Sequence, residues 1–95
     1  MIAPEILRAK FAVSFTRRLT DLHDILDRGD LIAAERGFHS LAGIGGTYGF
    51  PLVTTLARRA EQHCGSARQA KVQRLLDRLM AIATELREER DRAAA

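Results

Sequence analysis

The chain contains three histidines, and one of them precedes an unusual set of glycines. His39 lies in a segment with helical periodicity and is followed by Gly43, Gly45 and Gly46. A neutral imidazole nitrogen is a competent nucleophile near neutral pH, so an accessible histidine can form a covalent adduct. A glycine inside a helix costs about 1 kcal/mol relative to alanine, so three of them need an explanation. Access to the imidazole is the simplest explanation.

The helical projection places His39 on the outer face of its helix. At 3.6 residues per turn, it lies about 125° from the centre of the apolar face. An isolated isoleucine on this outer face is an apolar anchor for a partner. We therefore expect a partner-binding surface on the outer-face residues Ile32, Arg36, Gly43 and Gly46. The alternative is that His39 is an ordinary surface histidine and that the glycines simply end the helix early.

The other candidate sites are weaker. His63 and Cys64 are adjacent, so their side chains point about 100° apart on a helix, and no third metal ligand is visible. We interpret His23 as a residue at the border of the apolar stripe of the first helix, and the turn at Gly29 would bring it nearly level with His39. The glycine-rich segment 43–49 lacks the Lys-Ser/Thr pair of a phosphate-binding loop and follows a helix where a strand is required. The sequence therefore predicts no metal or nucleotide site.

Length and composition exclude several classes of protein. The 95 residues are enough for one domain, and 46% hydrophobic with 28% charged residues is a globular composition. One cysteine cannot form an internal disulfide, and no apolar run approaches the roughly 20 residues of a membrane span. The net charge is +3, but no helix has an unbroken basic face and only 5% of the residues are aromatic. This pattern does not favour nucleic-acid binding. We expect a cytoplasmic protein that binds neither membrane nor nucleic acid.

Hydrophobic periodicity predicts an all-α protein with four helices. The first helix begins near Pro4, and Gly29 and Asp30 form a tight turn into the second, which ends near Gly49. The third helix begins at Phe50-Pro51 and ends at Gly65, and Ser66 to Gln69 has the pattern of a capping box for the fourth. Each helix has one apolar stripe, which predicts an antiparallel up-down-up-down four-helix bundle. The inward positions are Phe11, Phe15, Leu19, Leu22 and Leu26; Leu31, Ala34, Phe38, Leu41, Gly45 and Tyr48; Leu52, Leu56, Ala60 and Cys64; and Val72, Leu75, Leu76, Leu79, Ile82, Ala83 and Leu86.

The segment around His39 resembles a known family. Phe38-His39-Ser40-Leu41-Ala42-Gly43, followed by Gly49, Leu52, Leu56 and Glu61, is similar to the histidine-containing phosphotransfer (HPt) domain. The pattern of that family is His-x-Leu-Lys-Gly, a further glycine six residues later, and then a leucine-rich helix in which the pattern ends at a glutamate. The resemblance covers essentially the whole chain and implies that residues 1–95 form a single four-helix domain.

The resemblance implies a phosphorelay role. His39 would accept a phosphoryl group from a receiver-domain aspartyl phosphate or a sensor kinase and pass it to a response-regulator receiver. The partners would be receiver domains of response regulators or hybrid kinases, and the receiver would supply Mg²⁺. We expect no cofactor on this chain, no kinase activity of its own, and a monomer.

One position departs from the family pattern. The usual lysine three residues after the histidine is replaced by Ala42, at the edge of the buried stripe. Two function classes therefore stay open: a phosphotransfer module, and a degenerate module that binds a receiver or other protein without transferring phosphate.

Arginine pairs at the height of His39 could partly replace the absent lysine. Counting from the turns places Arg17-Arg18 and Arg58-Arg59 near that height along the bundle. One residue of each pair would hold a phosphoryl group or the acidic rim of a receiver, with Arg58 and Arg59 as candidates for stabilising the phosphoryl group. The alternative for each arginine is ordinary solvated helix surface.

Overall fold

Short turns connect four helices in the computed structural model, which describes residues 5–94. The helices are α1 (Glu5–Asp27), α2 (Leu31–Thr47), α3 (Pro51–Gly65) and α4 (Gln69–Ala94). Each helix packs against its two neighbours in the ring α1-α2-α3-α4, so α2 lies diagonally across from α4. The predicted all-α four-helix bundle is confirmed. The predicted helix start at Pro4 lies outside the described residues.

The first two turns follow the sequence signals. Gly29 has a φ of +73°, and the carboxylate of Asp30 accepts a hydrogen bond from the backbone N–H of Ala33 at 3.0 Å. Gly49 has a φ of +80° after α2, and Pro51 is the first residue of α3. Left-handed glycines end helices at little steric cost, and proline fits the first helical position.

The third turn differs from the prediction. Ser66 is the C-cap of α3, and its backbone N–H donates to the carbonyls of Gln62 and His63. Ala67 has a φ of +54°, so it cannot belong to a helix, and α4 begins only at Gln69. The predicted capping box is therefore wrong, because Ser66 and Ala67 belong to the C-terminal cap of α3.

The core consists of the apolar stripes of all four helices. Leu52 was predicted to be inward, but it is 53% exposed, and Val53 takes the inward position one turn before Leu56. Leu52 lies instead at the α3–α4 edge, where it lines a groove with Ile82. Leu31, Tyr48, Leu75 and Ile82 are only partly buried against the core. The remaining predicted inward residues are buried: Phe11, Phe15, Leu19, Leu22, Leu26, Ala34, Phe38, Leu41, Gly45, Leu56, Ala60, Cys64, Val72, Leu76, Leu79, Ala83 and Leu86.

The α2–α3 pair is in the most extensive contact of any two helices. The hydroxyl of Thr54 donates to the carbonyl oxygen of Ala42 at 2.8 Å. A Cβ on Gly45 would lie 2.8 Å from Thr54 Oγ1 and 3.1 Å from Val53 Cγ1, so Gly45 is needed for this close approach. Access to the imidazole is therefore the wrong explanation for this glycine.

Among residues 5–94, no helix is both long enough and apolar enough to cross a membrane.

Candidate functional site

His39 and Glu61 face each other across the α2–α3 contact. Nδ1 of His39 lies 2.9 Å from Oε2 of Glu61. An ionised carboxylate only accepts hydrogen bonds, so Nδ1 is the nitrogen that carries the proton. In the neutral imidazole this leaves Nε2 with its lone pair, as a nucleophile requires. The side chain of His39 is 77% exposed and that of Glu61 is 28% exposed, so the nucleophile is open to a partner while the carboxylate is partly shielded.

The packing of the two helices fixes this geometry. Phe38 and Leu41 are fully buried on either side of His39 in sequence, which leaves the histidine on the outer face of α2. Ala57 and Ala60 are buried in α3, and their small side chains allow α3 to approach closely with Glu61 at its edge. The site is therefore carried by two packed helices and not by loops.

A shallow groove of about 520 Å³ surrounds the His39–Glu61 pair. Arg58 lines it one turn before Glu61 and is its one arginine, whereas the exposed Arg59 is not among the lining residues. Ala42 is 5% exposed, as expected for the edge of the buried stripe. The lining residues are Glu35, His39, Ala42, Gly43, Arg58, Glu61, Gln62 and Gly65.

The residues predicted to bind a partner all face solvent. Ile32 is 71% exposed, and Arg36, Gly43 and Gly46 are exposed on the same face as His39. A Cβ on Gly43 would meet nothing within 4 Å, and one on Gly46 would meet only Thr54 Oγ1, at 3.7 Å. The fold of this chain therefore gives no steric reason for glycine at position 43.

Arg18 and His23 lie on different sides of α1. Nη1 of Arg18 donates to Ser40 Oγ at 3.4 Å, which brings Arg18 beside the residue that follows His39. His23 shares a face with Leu19, which lines the α1–α4 groove, so His23 lies away from His39. Its Nδ1 is 3.4 Å from Asp27 Oδ2, an exposed pair on a single helix.

Cys64 is buried behind the site. Burial first, and then the carboxylates of Glu35 and Glu61, raise the pKa of the Cys64 thiol to about 11. A thiol with so high a pKa is a poor nucleophile near neutral pH. Cys64 therefore does not compete with His39 as a nucleophile.

Comparison with known proteins agrees with this geometry. The family model of the Hpt domain matches residues 6–95. The chain belongs to the Hpt domain family. Membership implies a phosphotransfer role in two-component signalling with receiver or kinase partners. Neither the curated proteins nor the solved structures gave a match.

The contact between Glu61 and His39 was not predicted from the sequence, where Glu61 was only the last position of the Hpt pattern. A usable signal was present. In an antiparallel hairpin that turns near Gly49, His39 lies ten residues before the turn and Glu61 twelve after it, so the two are nearly level. Their residue types then indicate a hydrogen bond.

Proposed function

We propose that His39 is a phosphorelay intermediate. It accepts a phosphoryl group from a receiver-domain aspartyl phosphate or a sensor kinase and passes it to a response-regulator receiver. The observation that carries this proposal is the hydrogen bond from His39 Nδ1 to Glu61, which leaves Nε2 free on an exposed ring. The cytoplasm, where receivers act, is the proposed location.

In the accepting step, the lone pair of Nε2 attacks phosphorus and the P–O bond to the receiver aspartate breaks. The bonding electrons of that P–O bond leave with the aspartate carboxylate. The histidine ring then holds the phosphoryl group on Nε2 and the proton on Nδ1, so the ring itself is cationic. The carboxylate of Glu61, 2.9 Å from Nδ1, stabilises this cation. In the donating step, a second receiver aspartate attacks phosphorus and Nε2 recovers its electron pair.

Positive charge near the phosphoryl oxygens stabilises such a transfer. The family's usual lysine is absent at Ala42, and Arg58 is the arginine that lines the same groove. We assign the stabilising role to Arg58 and not to Arg59, which lies outside the groove lining. The partner receiver would supply Mg²⁺ and the rest of the charge stabilisation, so this chain needs no cofactor.

The partner would dock on the outer face of α2. Ile32 supplies an apolar anchor, Arg36 a positive charge, and Gly43 and Gly46 let a protein surface approach the imidazole. Gly43 supports this proposal most clearly, because its Cβ position is open and glycine lowers helix stability there.

The second candidate function is a module that binds a receiver without transferring phosphate, and Ala42 is the observation in its favour. Incubation with a radiolabelled phosphoreceiver separates the two functions. We expect acid-labile label on the wild-type chain and none on His39→Gln, although both bind the receiver. Binding without label on the wild type would establish the second function.

A further inference from the structure

One face of α1 carries a cluster of positive charge beside the site. Lys10, Ser14, Arg17, Arg18 and Asp21 line a shallow groove on this helix. We name these five residues the α1 basic surface. It contains three cations and one carboxylate, and none of the three cations lies within 4.0 Å of a carboxylate among residues 5–94. Its positive charge is therefore not neutralised by ion pairs within the described chain.

Arg18 joins this surface to the helix that carries His39. Its side chain is half-buried, and Nη1 donates to Ser40 Oγ at 3.4 Å. Nε of Arg18 is buried and has no hydrogen-bond partner among the described residues. A half-buried guanidinium held against Ser40, the residue that follows His39, is suited to a carboxylate or phosphoryl oxygen of a partner.

The opposite flank of His39 has the opposite charge. Glu35 and Glu61 line the groove between α2 and α3, with Arg58 as its one arginine. Glu35 reaches towards the end of α3, where a Cβ on Gly65 would lie 3.6 Å from its Oε2. The site thus has a positive flank on α1, whereas the groove between α2 and α3 on its other side is lined by two carboxylates and one guanidinium.

We propose that a receiver domain docks asymmetrically, with the acidic rim of its phosphorylation site on the α1 basic surface and not over the groove between α2 and α3. This inference rests on the proposed function, because it specifies how the partner of His39 is oriented. Carboxylates placed against Glu35 and Glu61 would repel, whereas the unpaired cations of α1 attract them. The α1 basic surface would therefore act mainly on the rate of association.

Charge reversal tests this orientation. Lys10→Glu/Arg17→Glu changes two exposed residues of the α1 basic surface and leaves the half-buried Arg18 in place. The matched control is Arg74→Glu/Arg78→Glu, which makes the same change in net charge on exposed positions of α4, diagonally across from α2. The probe is a phosphorylated receiver domain of net negative charge, at about 50 mM and about 500 mM salt, where the range of electrostatic interaction differs about threefold.

We expect the α1 variant to lower kcat/KM for transfer at least about tenfold at low salt, with a much smaller loss at high salt. The control should change kcat/KM less than about threefold under either condition. An equal loss in both variants, or no loss in the α1 variant, would overturn the proposed orientation.

Two further measurements separate this proposal from the function on which it rests. Phosphoramidate can phosphorylate an accessible imidazole directly, with ammonia as the leaving group, so it should label the wild type and the α1 variant equally. Receiver affinity, measured by calorimetry on chains carrying His39→Gln, does not depend on transfer. If no chain accepts phosphate, the proposed function fails; the orientation is then upheld by weaker affinity in the α1 variant alone and overturned by unchanged affinity.

Discussion

Oε2 of Glu61 lies 2.9 Å from Nδ1 of His39, and this contact joins α3 to the exposed face of α2. It determines which imidazole nitrogen is free to react. The contact also places a carboxylate where it can stabilise the cationic ring of a phosphohistidine.

Glu61→Ala should slow phosphotransfer about tenfold, which corresponds to roughly 1.4 kcal/mol of transition-state stabilisation. Glu61→Gln should be less damaging, because the amide oxygen can still accept a hydrogen bond from Nδ1–H although it lacks charge. Imidazole ¹⁵N NMR checks the cause. We expect the proton on Nδ1 in the wild type and in Glu61→Gln, with more of the Nε2–H form in Glu61→Ala. The same tautomer ratio in all three chains would contradict the role assigned to Glu61.

Two glycines of α2 should respond in opposite ways to substitution. Gly43→Gln should leave the Tm unchanged or higher, because no atom obstructs its Cβ and glutamine has the higher helix propensity. It should nevertheless block transfer from a receiver. Gly45→Ala should lower the Tm, because overpacking against Thr54 costs about 1–3 kcal/mol against a propensity gain of about 1 kcal/mol.

Thermal unfolding by circular dichroism, with a transfer assay on the same samples, distinguishes these effects. Normal transfer by Gly43→Gln would mean that no partner approaches position 43. A large loss of Tm in that variant would show instead that glycine at position 43 is needed for the packing of the four helices.

The sequence predicted the helices and two turns because their signals are local. Periodicity marked the buried stripes, and Gly29 and Gly49 marked left-handed turns. The inward position predicted for Leu52 was wrong, because a helical projection does not show how far the buried stripe extends into the first turn of a helix. The sequence could not show which of Arg58, Arg59 and Glu61 line the groove. Their directions depend on the rotation of α3 about its axis, which packing against α2 determines. That rotation places Arg58 and Glu61 in the groove and leaves Arg59 out of its lining.

Restoring the family's lysine tests the electrostatics of the groove. Ala42→Lys should accelerate transfer from a phosphorylated receiver without changing the fold, because its stem can run along α2 and its ammonium can reach the phosphoryl oxygens. The gain should be small where an arginine already supplies the charge. In Arg58→Ala or Arg36→Ala backgrounds it should reach several-fold, since an exposed charge contact contributes roughly 1 kcal/mol.

Stopped-flow rates for Ala42→Lys in these three backgrounds measure the coupling. A gain confined to the Arg58→Ala background would assign the missing charge to Arg58. An unchanged or slower rate in all three would show that the absent lysine does not limit transfer.

The fold should protect the thiol of Cys64 from deprotonation. Its pKa is raised from 9.0 to about 11, so the native state binds this proton more tightly than the unfolded chain. Its contribution to the free energy of unfolding is complete below about pH 9 and is lost as the pH rises through about 11. Denaturant titrations from neutral to alkaline pH measure the free energy of unfolding of wild type and Cys64→Ala. As the pH rises, the wild type should lose stability relative to the alanine variant. A constant difference would contradict the raised pKa.

The position of the phosphate tests the central claim most directly. After transfer from a phosphorylated receiver, ³¹P and ¹⁵N NMR of the chain should show one phosphoramidate bond, on Nε2 of His39, and His39→Gln should show none. The far-UV circular dichroism of that variant should match the wild type, because His39 is exposed and contributes nothing to the core. Phosphate on His23, on His63 or on Nδ1 of His39, or an unlabelled wild-type chain, would contradict the account.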